Sequence, residues 1–196
     1  MASIDSLNEL LQDELKDLYD AEKQLTKALP KLSKKASAEE LKEAIADHLR
    51  QTEEHVDRLE RAFEELGMPA RGKTCKGMKN LISEGDDMIG DADQGAVRDA
   101  VMIAAAQKVE HYEIASYGTA RTWASLLGLD EIASLLEQTL EEEKETDQKL
   151  TELAEGSLNQ AAAGEEAGDA VRTGRAVRRA STRSSRPVAA DRRRRR

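Results

Sequence analysis

The chain is poor in the residues that make small loop-rich or β-rich folds. It has one cysteine, Cys75, so no intramolecular disulfide can form, and a reducing cytoplasm is the expected compartment. Only three prolines occur, at positions 30, 69 and 187. Aromatic residues make up 3% of the 196, and the dominance of Ala, Leu, Glu, Lys and Arg favours long helices over strands. No run approaches the roughly 18 apolar residues of a membrane span. The opening MASIDSLNELLQDEL lacks the basic and apolar regions of a secretory leader.

Charge and helix formers are abundant instead. Charged residues make up 35% of the chain, for a net charge of -9. Residues 171–196 hold eleven Arg and one Asp, a net of +10, so residues 1–170 carry -19. An acidic body suits cation uptake and disfavours gripping nucleic acid, which needs a basic face. After Gly164 large apolar residues almost vanish. We read 1–160 as one folded domain and 161–196 as a disordered Arg-rich tail, since the tail buries too little to offset the entropy of ordering. That tail is the one segment expected to hold nucleic acid, by nonspecific phosphate contact through residues 171–196.

Apolar spacing of three and four residues marks four long helices. Ser6 with Glu9 and Ser37 with Glu40 are capping-box patterns that open the first two. Pro30 is expected to kink or end the first, and Gly67 with Pro69 to end the second. An Asp near position 93 is expected to cap the third helix, Gly128 to break it from the fourth, and Gly156 to close the fourth. Short turns pair helices one with two and three with four. A 29-residue connection over 67–95, holding one short helix, separates the pairs. The expected fold is all-α: a ferritin-like four-helix bundle with a long crossover carrying a short fifth helix.

Each long stripe is interrupted by polar groups near mid-helix. The first reads Leu11, Leu18, Glu22, Leu25, Leu29, and the second Leu41, Ile45, His48, Thr52, His55, Leu59. The third reads Ala106, Glu110, Glu113, Tyr117, and the fourth Leu136, Leu140, Glu143, Asp147, Leu150. A carboxylate in a bundle core is costly unless paired or holding a metal. Carboxylates meeting from several helices suit a two-metal centre, and mixed carboxylate and imidazole donors suit iron or manganese. The candidate ligands are Glu22, His48, Glu110, Glu113, Glu143 and Asp147, with His48 and Asp147 expected at the edge. Glu14 and Glu137 read as stripe-edge acids, His111 as a surface or interface histidine, and Cys75 as a small packing residue. Tyr19, Tyr112 and Tyr117 are expected to pack in the core, their hydroxyls on core carboxylates.

The runs YDAEKQLTKALPKL (19–32), HLRQTEEHVDRLE (48–60), AAAQKVEHYEIASYGTARTWA (104–124) and LEEEKETDQKL (140–150) carry a resemblance. Over roughly residues 5–158 the chain resembles the YciF/YciE stress-protein family of ferritin-like, rubrerythrin-related proteins. The resemblance implies a homodimer and a role in bacterial stress. Mapped by motif, it implies Glu22 as the helix-one acid, His48 as the helix-two histidine, Glu110 and Glu113 in VEHYE, and Glu143 with Asp147 in EEEKETD. Two positions depart from the ferritin pattern of Glu-x-x-His on two helices. Thr52 stands three residues before His55, and the fourth helix has no histidine. Three functions follow: an oxidase or peroxidase working through the metal, a metal-free dimeric bundle with a structural role, or a miniferritin-like protein that associates with DNA through its tail.

Overall fold

The computed structural model describes residues 4–164, and every regular element among them is helical. Helix α1 spans Leu7–Lys35, α2 Glu39–Glu65, α3 Lys76–Asp91, α4 Ala96–Leu126 and α5 Asp130–Leu153. The chains of α1 with α2 and of α4 with α5 form two hairpins. α1 packs on α4 and α2 on α5, which closes the bundle, and the crossover helix α3 lies over α4 and α1. The expected Arg-rich tail falls, from residue 165 on, outside the described residues. No described helix is long and apolar enough to cross a membrane.

The helix ends follow local chemistry, with four departures from expectation. Ser6 caps α1 by accepting from the Glu9 N–H at 3.2 Å, while Glu9 accepts from the Asp5 N–H at 2.7 Å. Pro30 does not end α1, which runs on to Lys35. Buried Leu29 and partly buried Leu32, on either side of the proline, hold the helix through the lost hydrogen bond. Ser37 is not the cap of α2. Its N-cap is Ala38, and the buried carboxylate of Asp99, from α4, clamps the turn leading into it, accepting from the Ser37 N–H at 2.8 Å and the Ala38 N–H at 2.7 Å. No aspartate caps α4, whose N-cap is Gly95; Arg98 instead donates back to the Ala92 carbonyl at 3.0 and 2.8 Å. Gly156 does not close α5, because the chain passes through a π-helical turn at Ala154–Leu158 and stays helical to 164.

Gly67 and Gly128 do end α2 and α4. With φ of 64° and 73° they take the left-handed conformation that ends a helix. The next N–H groups, of Met68 and Leu129, reach back to the carbonyls of Phe63 at 2.9 Å and Ala124 at 3.0 Å. The crossover is fastened to α1: the Cys75 N–H donates to Asp20 at 2.8 Å, and the Lys73 N–H to the Lys16 carbonyl at 3.1 Å. Cys75 is more than filler. Its buried sulfur caps α3, accepting from the Met78 N–H at 3.3 Å, and lies 3.0 Å from the Tyr112 hydroxyl.

The apolar core is divided. One cluster holds Leu11, Leu15, Leu18, Leu59, Phe63, Tyr117, Leu136 and Leu140. The other holds Leu25, Leu29, Leu41, Ile45, Met78, Met102, Ile103 and Leu150. In each long helix the chain passes from one cluster to the other across the polar residues of the stripe. The bundle is two apolar plugs with an ionisable layer between them.

The Asp99 clamp yields a stability test. Asp99→Ala leaves two N–H groups without their acceptor and should cost about 1–3 kcal/mol in urea unfolding. Ser37→Ala should stay within about 0.5 kcal/mol of the parent, since its hydroxyl caps nothing. The reverse ranking would restore the capping box.

Candidate metal centre

Four helices bring six side chains into the layer between the plugs. Glu22 comes from α1, His48 and His55 from α2, Glu110 and Glu113 from α4, and Glu143 from α5, all of them buried. Their donor atoms fall into two groups. His48, Glu110, Glu113 and Glu143 form one, and Glu22, His55 and Glu143 the other, with the donor atoms of each within 4.8 Å of one another. Glu143 belongs to both.

The four glutamates expected to converge, Glu22, Glu110, Glu113 and Glu143, do so. His48 lies inside the cluster at 5% exposure and not at its edge. Asp147 does not join. It is partly exposed, 3.4 Å from His111 Nε2, and accepts from Gln107 Nε2 at 3.1 Å. Four residues past Glu143 it sits about 6 Å further along α5, beyond the depth of the layer. His55 joins instead. It stands seven residues from His48 on the same face of α2, about two turns away. Between them Thr52 supplies no ligand, its hydroxyl donating to the His48 carbonyl at 2.9 Å.

Glu142 was not expected at the site either. It holds the far side of His55, with its carboxylate 2.9 Å from Nε2, while two Arg58 nitrogens donate to it at 2.7 Å each. His55 Nδ1 is thereby turned inward, 3.4 Å from Glu22 and 3.0 Å from Glu143. A carboxylate that fixes the outer nitrogen of a histidine is the usual support of a metal-bound imidazole. Of the tyrosines, only Tyr117 meets a core carboxylate, donating to Glu22. Tyr19 donates to Glu60 at 2.7 Å and Tyr112 to Asp17 at 2.7 Å, both nearer the surface. His111 is exposed, as expected.

The electrostatics of the layer are strained. Burial above all, and then Glu143, pushes Glu110 and Glu113 well above the usual carboxylate range. Burial also raises Glu22 and lowers His48, so that His48 favours its neutral form. Burial opposes a charge on His55 too, but Glu142, Glu143 and Glu22 overcome it and push the imidazole up to about 12. Glu143 resists its own burial through His55 and stays low, and Glu142, held by His55 and Arg58, falls to about 2.

The decisive observation is a set of orphans. Glu22 Oε2, His48 Nε2, His55 Nδ1, Glu110 Oε2 and both oxygens of Glu113 and Glu143 are buried without a hydrogen-bond partner. Buried polar atoms are nearly always satisfied, and these all belong to the six clustered residues. Their number, convergence and chemistry fit cations. Six of them are oxygens of four carboxylates that repel one another when charged.

A family model described as a domain of unknown function, DUF892, matches residues 6–163. The protein YciF of Escherichia coli K12 is 48% identical over 149 residues, which cover 76% of this chain and 90% of YciF. The crystal structure described as that of the E. coli stress protein YciF superposes with a TM-score of 0.76 at 44% identity, covering 80% of this chain and 99% of the other. A Rhodopseudomonas palustris protein, YcfI, described as structural, superposes with a TM-score of 0.75 at 41% identity over 76% of this chain and 95% of its own.

The Glu142 pKa predicts an acid dependence. A folded value of about 2, below the ordinary 4.5, means that Glu142 stabilises the fold above 4.5 and loses that contribution as pH falls through about 2. In metal-free protein the stability gap between the parent and Glu142→Gln should be largest near neutrality and close as pH falls through that window. A gap independent of pH in urea titrations would remove Glu142 from the charge network.

Proposed function

Because the chain belongs to the DUF892 family, which supplies a fold and a stress-protein kinship but no reaction, we propose from the site itself that the bundle core would hold two divalent cations, iron or manganese, with Glu143 offered to both. The observation that carries this reading is the sharing of Glu143 between two donor groups whose inward atoms have no other partner. His48, Glu110 and Glu113 would hold one ion with Glu143. Glu22 and His55 would hold the other. Bound there, such a pair supplies redox equivalents and Lewis acidity, which suits the oxidase or peroxidase class.

The chain's own residues set the conditions. Glu142 and Arg58 orient His55 so that Nδ1 faces the layer. Tyr117 occupies one oxygen of Glu22 and leaves the other free. The plugs above and below exclude water, which strengthens every charge interaction inside. In the metal-free state the layer neutralises itself with protons on Glu110, Glu113 and His55. Cation uptake must displace them.

Protein purified without chelator should contain about two iron or manganese ions per chain by elemental analysis. Glu143→Ala should lose both, Glu22→Ala about one, and Asp147→Ala neither. Loading the apoprotein at neutral pH should release about three protons per chain, read as the buffer dependence of the calorimetric heat. A parent protein that holds no metal and takes up none favours the alternative of an acidic network that only sets helix register.

A further inference from the structure

Two cavities reach the candidate centre, and both end on His48 and Glu110. One, of about 240 Å³, opens between α2 and α5 past Asp47, Gln51, Glu145, Thr146 and Lys149. These polar residues suit water, protons and ions, while Leu29, Leu32, Ala44, Ile45, Ala106 and Leu150 line the rest of it. The other, of about 280 Å³, lies beneath the crossover helix between α1, α3 and α4. Its walls are aliphatic: Leu25, Leu32, Leu81, Ile82, Ile89 and Val109.

The second space exists because the residues around it are small. Ala28 on α1, Gly85 on α3 and Ala106 on α4 line it. Gly85 is also needed for the approach of α3 to α4, since a Cβ there would lie 3.1 Å from that of Ala105. Besides half-buried Gln24, whose amide is already bonded to Asp20 and the Cys75 carbonyl, the polar part of its depth is the inner end. His48 and Glu110 are at least nine-tenths buried, and His48 Nε2 and Glu110 Oε2 have no hydrogen-bond partner. Lys27, Lys31 and Asp86 stand at the rim, Asp86 already paired with Lys35 at 2.7 Å. Water along aliphatic walls has few partners and is readily displaced by an apolar group.

We propose that this second cavity is the substrate pocket of the centre and takes a small, largely apolar molecule, its inner end against His48 and Glu110 and any polar end at the rim. A cavity of about 150 Å³ accommodates benzene, so this one has room for a ligand of about eleven non-hydrogen atoms, one substituted ring or a short alkyl chain. The inference rests on the proposed function in one respect, that a cation at His48 and Glu110 is what the ligand meets. The walls themselves do not depend on it. Ions and protons use the polar cavity, and the substrate uses the apolar one.

Indole, a two-ring arene within that size, is the probe. Its binding to the full-length protein is measured by calorimetry after chelator treatment and again after loading with Mn(II), where broadening of the indole ring protons reports proximity to the ion. Saturable binding is expected in both states, with broadening in the second. Ala28→Phe fills the cavity and should weaken binding about tenfold or more. Its thermal midpoint should match or exceed that of the parent, because a void is being filled. Ile82→Phe serves if that variant does not fold. No saturable binding in either state overturns the proposal, as does undiminished binding to a folded Ala28→Phe. Bound indole that manganese leaves unbroadened also overturns it, because the pocket then does not face the centre. If the chain binds no manganese at all, the proposed function fails. Binding of indole to the chelator-treated protein that Ala28→Phe abolishes would still support the pocket as a ligand site.

Discussion

Four glutamates buried at one depth of a helical bundle are the constraint from which the rest of this structure follows. Glu22, Glu110, Glu113 and Glu143 lie almost without water in a low-dielectric layer, where each uncompensated charge is expensive. Two remedies exist, a proton or a cation. Burial pushes Glu110 and Glu113 toward their neutral, protonated forms, while Glu142, Glu143 and Glu22 around His55 favour its imidazolium. The compensation is incomplete, since eight polar atoms of the layer have no hydrogen-bond partner even where, as at His55 Nδ1 and Glu143, opposite charges lie 3.0 Å apart. Replacing buried charge networks with packed hydrophobic residues is often neutral or stabilising.

The stability to tolerate such a layer comes from outside it. The two apolar plugs run the length of the bundle on either side of the acids, so the penalty is confined to about two turns of each helix. Long-range clamps hold the helices in register around it. Asp99 ties the α1–α2 turn to α4. The crossover is fixed to α1 through Asp20 and the backbone of Cys75, whose sulfur also meets Tyr112 one residue before Glu113. The covering helix α3 is thus anchored at its start, where the chain leaves the bundle, and closes over the apolar cavity along its length.

What was legible in the sequence was what local periodicity encodes. Stripe spacing and loop length were enough for the bundle and its hairpins, and shared depth was enough to pick out Glu22, Glu110, Glu113 and Glu143. The misses are all long-range. Ser37 and Glu40 have the spacing of a capping box, but the helix starts one residue later, and the turn before it is held by Asp99, more than sixty residues away. His55 lay in the stripe and was passed over because Thr52 spoiled its motif. Its orientation depends on Glu142, eighty-seven residues on, and no local pattern couples the two. Asp147 shares the stripe with Glu143 but not its depth, and at one further helical turn depth decides which residues meet.

The departures from the two-fold Glu-x-x-His pattern make the two donor groups unequal. Both imidazoles come from α2, so Glu143 stands between a histidine above and a histidine below rather than between two matching helix pairs. The group around His55 has three residues and is walled in by Tyr117, Glu142 and Arg58. The group around His48 has four, and it is this one that both cavities touch. His48 is also held less firmly, its Nδ1 3.4 Å from the Thr146 hydroxyl where His55 has a charged carboxylate at 2.9 Å. A charge-assisted bond fixes a ring more strongly than a long neutral one. One side of the layer is therefore rigid and enclosed, and the other is looser and reached by both cavities. The asymmetry follows from the chain's own helix α2, because Thr52 in place of an acid leaves His48, one turn earlier, to complete the second group.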